Sequence, residues 1–343
     1  MADSVRLGAQ TGIAHGGRLE AIRRAFPGAP QPFLDLSTGI NPDPYPFTLP
    51  ALGLFARLPE PEALAALEAE AARAYGVPDP ARVIAAPGSQ LLIGLLPRLV
   101  PPFRRVAVLG PTYGEYVHVW QKAGHAVREV ETLEAAAEAE VVLLARPDNP
   151  SGRVLPAAPL LALAAGLAAR GGLLVVDEAF ADFLPGLSLA PNLPEEGLLL
   201  LRSFGKAYGL GGLRLGFALA PASLVAPLRA VLGPWPVSDA AILIGQKALA
   251  DREWRVMAAA RLAARRERMA ALFRRAGFTI AGETPLFLFL HHPEAGRWWE
   301  RLAKAGIVLR RFADRPHHLR AGLPPKAALP RLARALGLPD HLG

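Results

Sequence analysis

The 343-residue sequence contains no cysteine. That absence excludes disulfide staples, thiolate nucleophiles and cysteine-based zinc sites. Lysine is scarce as well. Of the 38 basic residues only five are lysines (Lys122, Lys206, Lys247, Lys304 and Lys326), and the rest are arginines. Set against 30 acidic residues, they leave a net charge of +8. Charged residues make up 20% of the chain and apolar residues 52%, which excludes an intrinsically disordered protein. Long apolar runs are missing too. The longest, Val154 to Ala169, is interrupted by Pro156 and Pro159 and is too short and alanine-rich for a membrane span. The start, Met1-Ala2-Asp3-Ser4, has no basic-then-apolar signal pattern. A soluble, cytoplasmic protein with no membrane partner is expected. Positive charge carried by arginine suits nucleic acid or anionic small molecules, or reflects only a GC-rich genome, and composition does not choose among them.

Several short apolar runs are each followed by a turn and a helix-like stretch. Val83–Ala86, Arg105–Leu109, Val141–Ala145, Leu173–Val176, Leu198–Leu201 and Leu215–Leu219 read as strands buried on both faces. Between them lie helical candidates at Pro61–Tyr75, Leu91–Leu99, Tyr113–Ala123, Ala157–Ala169 and Ala222–Leu232. This alternation argues for an α/β domain with a mostly parallel sheet. After Pro234-Trp235-Pro236 the pattern changes. A helix-like stretch from about Asp239 to Ala276 precedes apolar runs at Phe278–Ala281, Leu286–Leu290, Ile307–Arg311 and His318–Ala321, with helices near Ala295–Ala305 and Lys326–Leu336. We expect a three-layer αβα large domain over residues 46–235 and a smaller α+β domain over 236–343. The proline-rich residues 1–45 read as an N-terminal arm.

In open parallel sheets, ligands bind beyond the carboxyl ends of the strands. The residues there are informative. Gly88-Ser89-Gln90 lies between a strand and a helix, where exposed N–H groups suit an oxyanion; an ordinary capped turn is the plainer reading. Asp177 ends a buried strand and needs a cation or a strong donor nearby. Magnesium is one answer, but the nucleotide loop that should accompany it is missing: Gly205-Lys206 is followed by Ala207, not Ser or Thr. The dinucleotide fingerprint fails as well, since Arg214 stands where the third glycine belongs. No metal is expected. Lys206 has apolar or glycine neighbours in Ser203-Phe-Gly-Lys206-Ala-Tyr-Gly. Such surroundings desolvate an ammonium and favour the neutral amine that carbonyl chemistry requires. Ser203 and Arg214 flank it and suit one phosphate.

These residues resemble the pyridoxal-phosphate enzymes of the aspartate-aminotransferase fold, over Asp35 to Leu336. The resemblance implies pyridoxal 5'-phosphate as cofactor, carried on Lys206. It implies that Asp177 pairs with the protonated ring nitrogen, that Asn149 bonds the ring oxygen and that Tyr113 stacks on the ring. Ser89, Gln90, Ser203 and Arg214 would hold the phosphate. Arg320, in His317-His318-Leu319-Arg320, stands where the family binds a substrate carboxylate. A homodimer is also implied.

Within that fold the chain resembles the histidinol-phosphate aminotransferases and threonine-phosphate decarboxylases. His15-Gly16-Gly17 followed by Ser37-Thr38-Gly39-Ile40-Asn41-Pro42 is similar to the decarboxylases, which make aminopropanol phosphate for cobalamin from L-threonine O-3-phosphate. By this resemblance the partner is a small phosphorylated amino acid, and His15, Gly17 and Asn41 belong with Arg320 to the substrate pocket. Transamination of the histidinol-phosphate type is the alternative. Two departures from the aminotransferase pattern agree with decarboxylation: Phe180 and Leu58 stand where that branch commonly has tyrosines. A nucleic-acid-binding protein is a further alternative, because arginines crowd the segment from Arg252 to Arg275. Acidic residues dilute that run and no interleaved aromatic stripe accompanies it, so no nucleic-acid partner is expected.

Overall fold

The computed structural model describes residues 16–339, so His15 lies outside the described residues. The chain divides into two units, 44–258 and the combination of 16–43 with 259–339. Twelve strands occur among the described residues. The first, β1 (Leu34–Leu36), belongs to the smaller unit. The larger unit contains β2 (Val83–Ala86), β3 (Arg105–Leu109), β4 (Ala126–Val130), β5 (Val141–Ala145), β6 (Leu173–Asp177), β7 (Leu198–Arg202) and β8 (Gly216–Leu219). Their order across the sheet is β2-β8-β7-β6-β5-β3-β4. Strands β3 to β7 run parallel, and β8 runs antiparallel to both β7 and β2.

Continuous apolar runs form strands here because both faces are covered. Every residue of β5, β6 and β7 is buried. Val141, Leu143, Val175, Leu199 and Leu201 face a core shared with Leu92, Trp120 and Leu228 from three helices. The alternate residues, such as Val142, Leu174 and Leu200, point to the opposite face, where the helix Ala157–Ala168 buries Leu160, Ala164 and Leu167. The result is the expected three-layer arrangement. Strand β4 escapes a search for apolar runs because it is an edge strand. Its Arg128 and Glu129 are exposed, and such charges discourage pairing with another chain.

Two readings of the sequence need correction. The stretch from Asp239 to Ala276 is two helices, Asp239–Ala250 and Arg252–Arg275. Asp251 separates them, because its Oδ1 accepts the Trp254 N–H at 2.9 Å and so caps the second helix. The first of these helices lies against the helix Pro61–Tyr75 of the larger unit. The division therefore falls after residue 258, not at 235.

The smaller unit is built on β9 (Thr279–Thr284), β10 (Phe287–His291), β11 (Ile307–Arg311) and β12 (His318–Gly322), in the order β1-β11-β12-β10-β9. The proline-rich arm is not wholly extended. It contains a helix, Leu19–Ala25, and then supplies β1, which pairs parallel with β11. Phe26 meets Trp299 edge to face at 5.8 Å, and the Trp299 indole N–H donates to the Leu309 carbonyl at 2.9 Å. No helix among the described residues is long and apolar enough to cross a membrane.

Replacing Asp251 by alanine removes the cap on Trp254 and one of the two acceptors of the Tyr45 hydroxyl, the Lys247 carbonyl being the other. The expected loss is about 1 kcal/mol of stability, measurable as a lower urea midpoint.

Candidate active site

Strands β3, β5, β6 and β7 all end on one edge of the large sheet. The antiparallel β8 starts on that edge, with Phe217 opposite Arg202 and Gly216 opposite Ala86. This topology gathers five chain segments, and with them every cofactor-contacting residue expected from the sequence.

Asp177 closes β6 and is buried. Its Oδ2 accepts the Tyr116 hydroxyl at 2.7 Å and its Oδ1 accepts the Ala179 N–H at 2.9 Å. Burial pushes its pKa above the ordinary carboxylate value, against the opposing pull of the Tyr116 hydrogen bond, Lys206, the Ala179 N–H and Arg202. The Tyr116 hydroxyl is itself pushed well up, first by burial and then by Asp177 beside it, so it stays a proton donor at neutral pH. The next residue, Glu178, is fully buried and has a different role. It accepts from Arg202 at 2.8 Å, from the Ser188 hydroxyl at 2.6 Å and from the Leu189 N–H at 2.8 Å. Arg202 also donates to Asp182 at 2.9 Å. This network ties the ends of β6 and β7 to the loop between them.

Lys206 lies in a helix of one turn, Phe204–Ala207. So short a helix has little stability of its own. An aromatic stack supports it: Phe204 lies 4.2 Å from Tyr208, and Tyr208 lies 5.4 Å from Trp254, centroid to centroid. The Lys206 ammonium donates to the Ser203 hydroxyl at 3.5 Å and lies 5.4 Å from the Phe180 ring centroid. Phe180 thus stands against the lysine with a ring face in place of a hydroxyl.

Ser89 and Ser203 are buried, whereas Gln90 and Arg214 are exposed. Gly88 has φ +85°, and a Cβ there would meet the Arg214 guanidinium at 2.7 Å. A Cβ on Gly216 would lie 2.4 Å from the Ser89 nitrogen. Only glycine at these two positions lets β8 and Arg214 approach the Ser89 loop so closely. Tyr113 is half-buried; its hydroxyl donates to Gln90 at 3.0 Å and its ring stands edge-on to Tyr116 at 5.5 Å. Asn149, also half-buried, sits in the loop after β5, next to Asp148, which accepts the Ser151 hydroxyl at 2.5 Å.

The smaller unit collects the remaining expected residues apart from His15. The Gly17 N–H donates to the Ser37 hydroxyl at 2.8 Å, which in turn donates to Asp35 at 2.5 Å. Arg320 is buried, donates to the Ser37 carbonyl at 2.8 Å and lies 5.2 Å from the Phe287 ring centroid. Asn41 is buried and accepts the Asp43 N–H at 2.9 Å. Arg310 of β11 stands in register with Arg320 of β12. Among the described residues, no group of three or more His, Asp or Glu is arranged to hold a metal ion.

A model of the aminotransferase class I and II family matches residues 36–336. The chain belongs to the class I and II aminotransferase family. It is 44% identical over 329 residues to a threonine-phosphate decarboxylase of Sinorhizobium, covering 94% of this chain and 97% of that one. A threonine-phosphate decarboxylase of Pseudomonas aeruginosa is 43% identical, with the same coverage. The fold matches that of a histidinol-phosphate aminotransferase from Sinorhizobium meliloti, solved with pyridoxal-5'-phosphate, at TM-score 0.77 and 24% identity, over 98% of this chain and 97% of that one.

Pyridoxal phosphate is the cofactor of this family, and the residues fit it. Two glycines leave room beside Ser89 and Arg214, and these two residues with Ser203 would supply hydroxyls and a guanidinium for a phosphate. Lys206 would supply an amine for an aldehyde. Asp177 is a buried carboxylate that a protonated ring nitrogen would neutralise. Sequence reasoning missed Tyr116 and Arg310. Tyr116 lies three residues after Tyr113, and that helical spacing was the available signal. Arg310 is singled out only by its cross-strand register.

An Asp177→Asn protein separates stability from cofactor binding. A carboxyl whose pKa is raised on folding favours the fold most below its unfolded value, and that contribution is lost as pH rises through the folded pKa. The amide never ionises, and its two ends suit Ala179 and Tyr116. The cofactor-free variant is therefore expected to melt higher than the cofactor-free parent at neutral pH, with the gap closing in acid. Its affinity for pyridoxal phosphate should fall roughly a hundredfold, for about 3 kcal/mol of lost charge pairing, read by fluorescence titration.

Proposed function

We propose that this chain is a pyridoxal-phosphate-dependent carboxy-lyase that converts L-threonine O-3-phosphate to aminopropanol phosphate and carbon dioxide. Identity of 43–44% to two threonine-phosphate decarboxylases, over nearly their whole length, supports the reaction. One structural observation carries the substrate class: the register pair of Arg310 and Arg320. Two like charges directly opposite each other in a sheet repel, and bound anions offset that repulsion. A substrate with both a carboxylate and a phosphate supplies two.

The cofactor, when bound, withdraws electrons from whichever Cα bond stands perpendicular to its ring. In this reading Arg320 holds the substrate carboxylate by a forked, charge-assisted contact, and Arg310 faces the phosphate. The resemblance adds Gly17, Asn41 and His15 to the substrate-binding set, the last of them outside the described residues. Anchoring both anionic ends decides which Cα bond is presented for cleavage. Lys206, held beside Ser203 and the Phe180 face, would deliver a proton from its ammonium to Cα in place of the carboxylate that leaves as carbon dioxide. Asp177 keeps its negative charge against the ring nitrogen throughout. Ser89, Gln90, Ser203 and Arg214 hold the cofactor phosphate, Asn149 the ring oxygen and Tyr113 the ring face.

The reading includes a homodimer. Leu49, Leu52, Phe55 and Leu58 lie close together in sequence and are exposed by 80%, 88%, 62% and 61% in the single chain. Apolar exposure this dense is a mark of an interface. Sedimentation at micromolar concentration should give a dimer, and Leu52→Asp should shift it toward monomer.

The decisive assay incubates the purified holoenzyme with O-phospho-L-threonine. Release of carbon dioxide with aminopropanol phosphate is expected. Amino transfer from glutamate to imidazole-acetol phosphate, without carbon dioxide, would overturn the reading in favour of an aminotransferase. Lys206→Ala should lower turnover by about a thousandfold or more. Arg320→Gln should raise KM by roughly thirty- to a hundredfold, for about 2–3 kcal/mol of lost charge-assisted bonding.

A further inference from the structure

Tyr116 is buried at 3% exposure in the helix Glu115–Lys122, behind the sheet edge, yet its hydroxyl spends its one hydrogen on Asp177 at 2.7 Å. Four groups act on that carboxylate: the Tyr116 hydroxyl, the Ala179 N–H at 2.9 Å, Lys206 and Arg202. They are not equivalent. Arg202 is committed to Glu178 and Asp182, and the Ala179 N–H is backbone that any residue would supply. Lys206 is the residue that carries the cofactor. Tyr116 is therefore the one side chain in this set whose hydrogen bond is made to Asp177 and whose removal leaves the rest of the cofactor machinery in place.

We propose that Tyr116 is a positioning residue that keeps the proton on the cofactor's ring nitrogen, because its hydroxyl, by donating to Asp177, holds that carboxylate oriented and anionic. The inference rests on the reading of this chain as a pyridoxal-phosphate enzyme. The physical reason is a competition for one proton. A buried carboxylate facing a pyridine nitrogen shares a proton with it, and each donor hydrogen-bonded to the carboxylate lowers its proton affinity. With Tyr116 in place, the carboxylate is satisfied without that proton and leaves it on the nitrogen. Without Tyr116, the proton moves toward Asp177 and the ring becomes a weaker electron sink. Hydroxyl burial strengthens the effect, since no water replaces the lost donor.

The test uses holoenzyme reconstituted with pyridoxal phosphate carrying 15N in the ring, comparing the parent with Tyr116→Phe. The nitrogen chemical shift reports the position of the proton directly. The parent should sit at the protonated end, and the variant should move toward the value of a neutral pyridine. Turnover of O-phospho-L-threonine should fall about tenfold with KM changed less than about twofold. An unchanged nitrogen shift, or equal losses in kcat and in KM, would overturn the proposal. Should Tyr116→Phe fold poorly by its melting curve, 3-fluorotyrosine at position 116 serves in its place. That residue is a stronger donor of the same shape, so it should hold the nitrogen at the protonated end with kcat no lower than the parent's; a move toward neutral pyridine would again overturn the proposal. Failure of the parent to retain the cofactor would sink the functional reading instead, so the two failures are distinguishable.

Discussion

A carboxylate buried at the end of a central strand sets the terms for the larger unit. Asp177 cannot be left uncompensated in an apolar interior, because an isolated buried charge costs several kcal/mol. It is met by a tyrosine hydroxyl, a backbone N–H and the charges of Lys206 and Arg202. Each of these is delivered by a different element. Tyr116 comes from the helix after β3, Ala179 from the turn after β6, Arg202 from the end of β7 and Lys206 from the short helix that follows. The sheet order is what brings them to one edge. The charge is still not fully offset, and a protonated ring nitrogen is the partner that would complete it.

The acidic pair Asp177-Glu178 divides its labour by strand alternation. Glu178 points away and is consumed by Arg202, Ser188 and the Leu189 N–H, so it acts as a brace. Asp177 is braced by neutral donors and remains available to a ligand. The same division appears among the arginines. Arg202 and Arg146 are buried structural cations, whereas Arg214 is exposed over a loop whose glycine leaves room for its guanidinium. In the smaller unit, Arg320 is fixed through Ser37, and Arg310 stands in register with it. The scarcity of lysine is meaningful in this light. A lysine can lose its proton and react, whereas arginine stays charged, and the proposed site calls on one lysine among many arginines.

Much of this was legible in the residues. Buried strands announced themselves as unbroken apolar runs at β5, β6 and β7, and Lys206, Asp177, Asn149 and Arg214 stood out by type and by their place after those runs. Elements that depend on partners were not legible. Strand β4 carries Arg128 and Glu129 and is a strand because β3 pairs with it. The arm reads as a proline-rich extended segment, yet residues 34–36 complete the small sheet beside β11. A single helix from Asp239 onward was the natural reading of an unbroken helical composition; the capping geometry of Asp251 divides it.

Chain chemistry is local, and so the alternation of strands and helices, the identity of the lysine and the glycines at the loop could be read without coordinates. Side-chain partnership is not local. Tyr116 and Asp177 are 61 positions apart, and Arg310 and Arg320 face each other only through strand register. Folding alone placed the Tyr116 hydroxyl against the Asp177 carboxylate. Two arginines became a register pair because antiparallel pairing, not sequence spacing, decides which residues stand opposite each other.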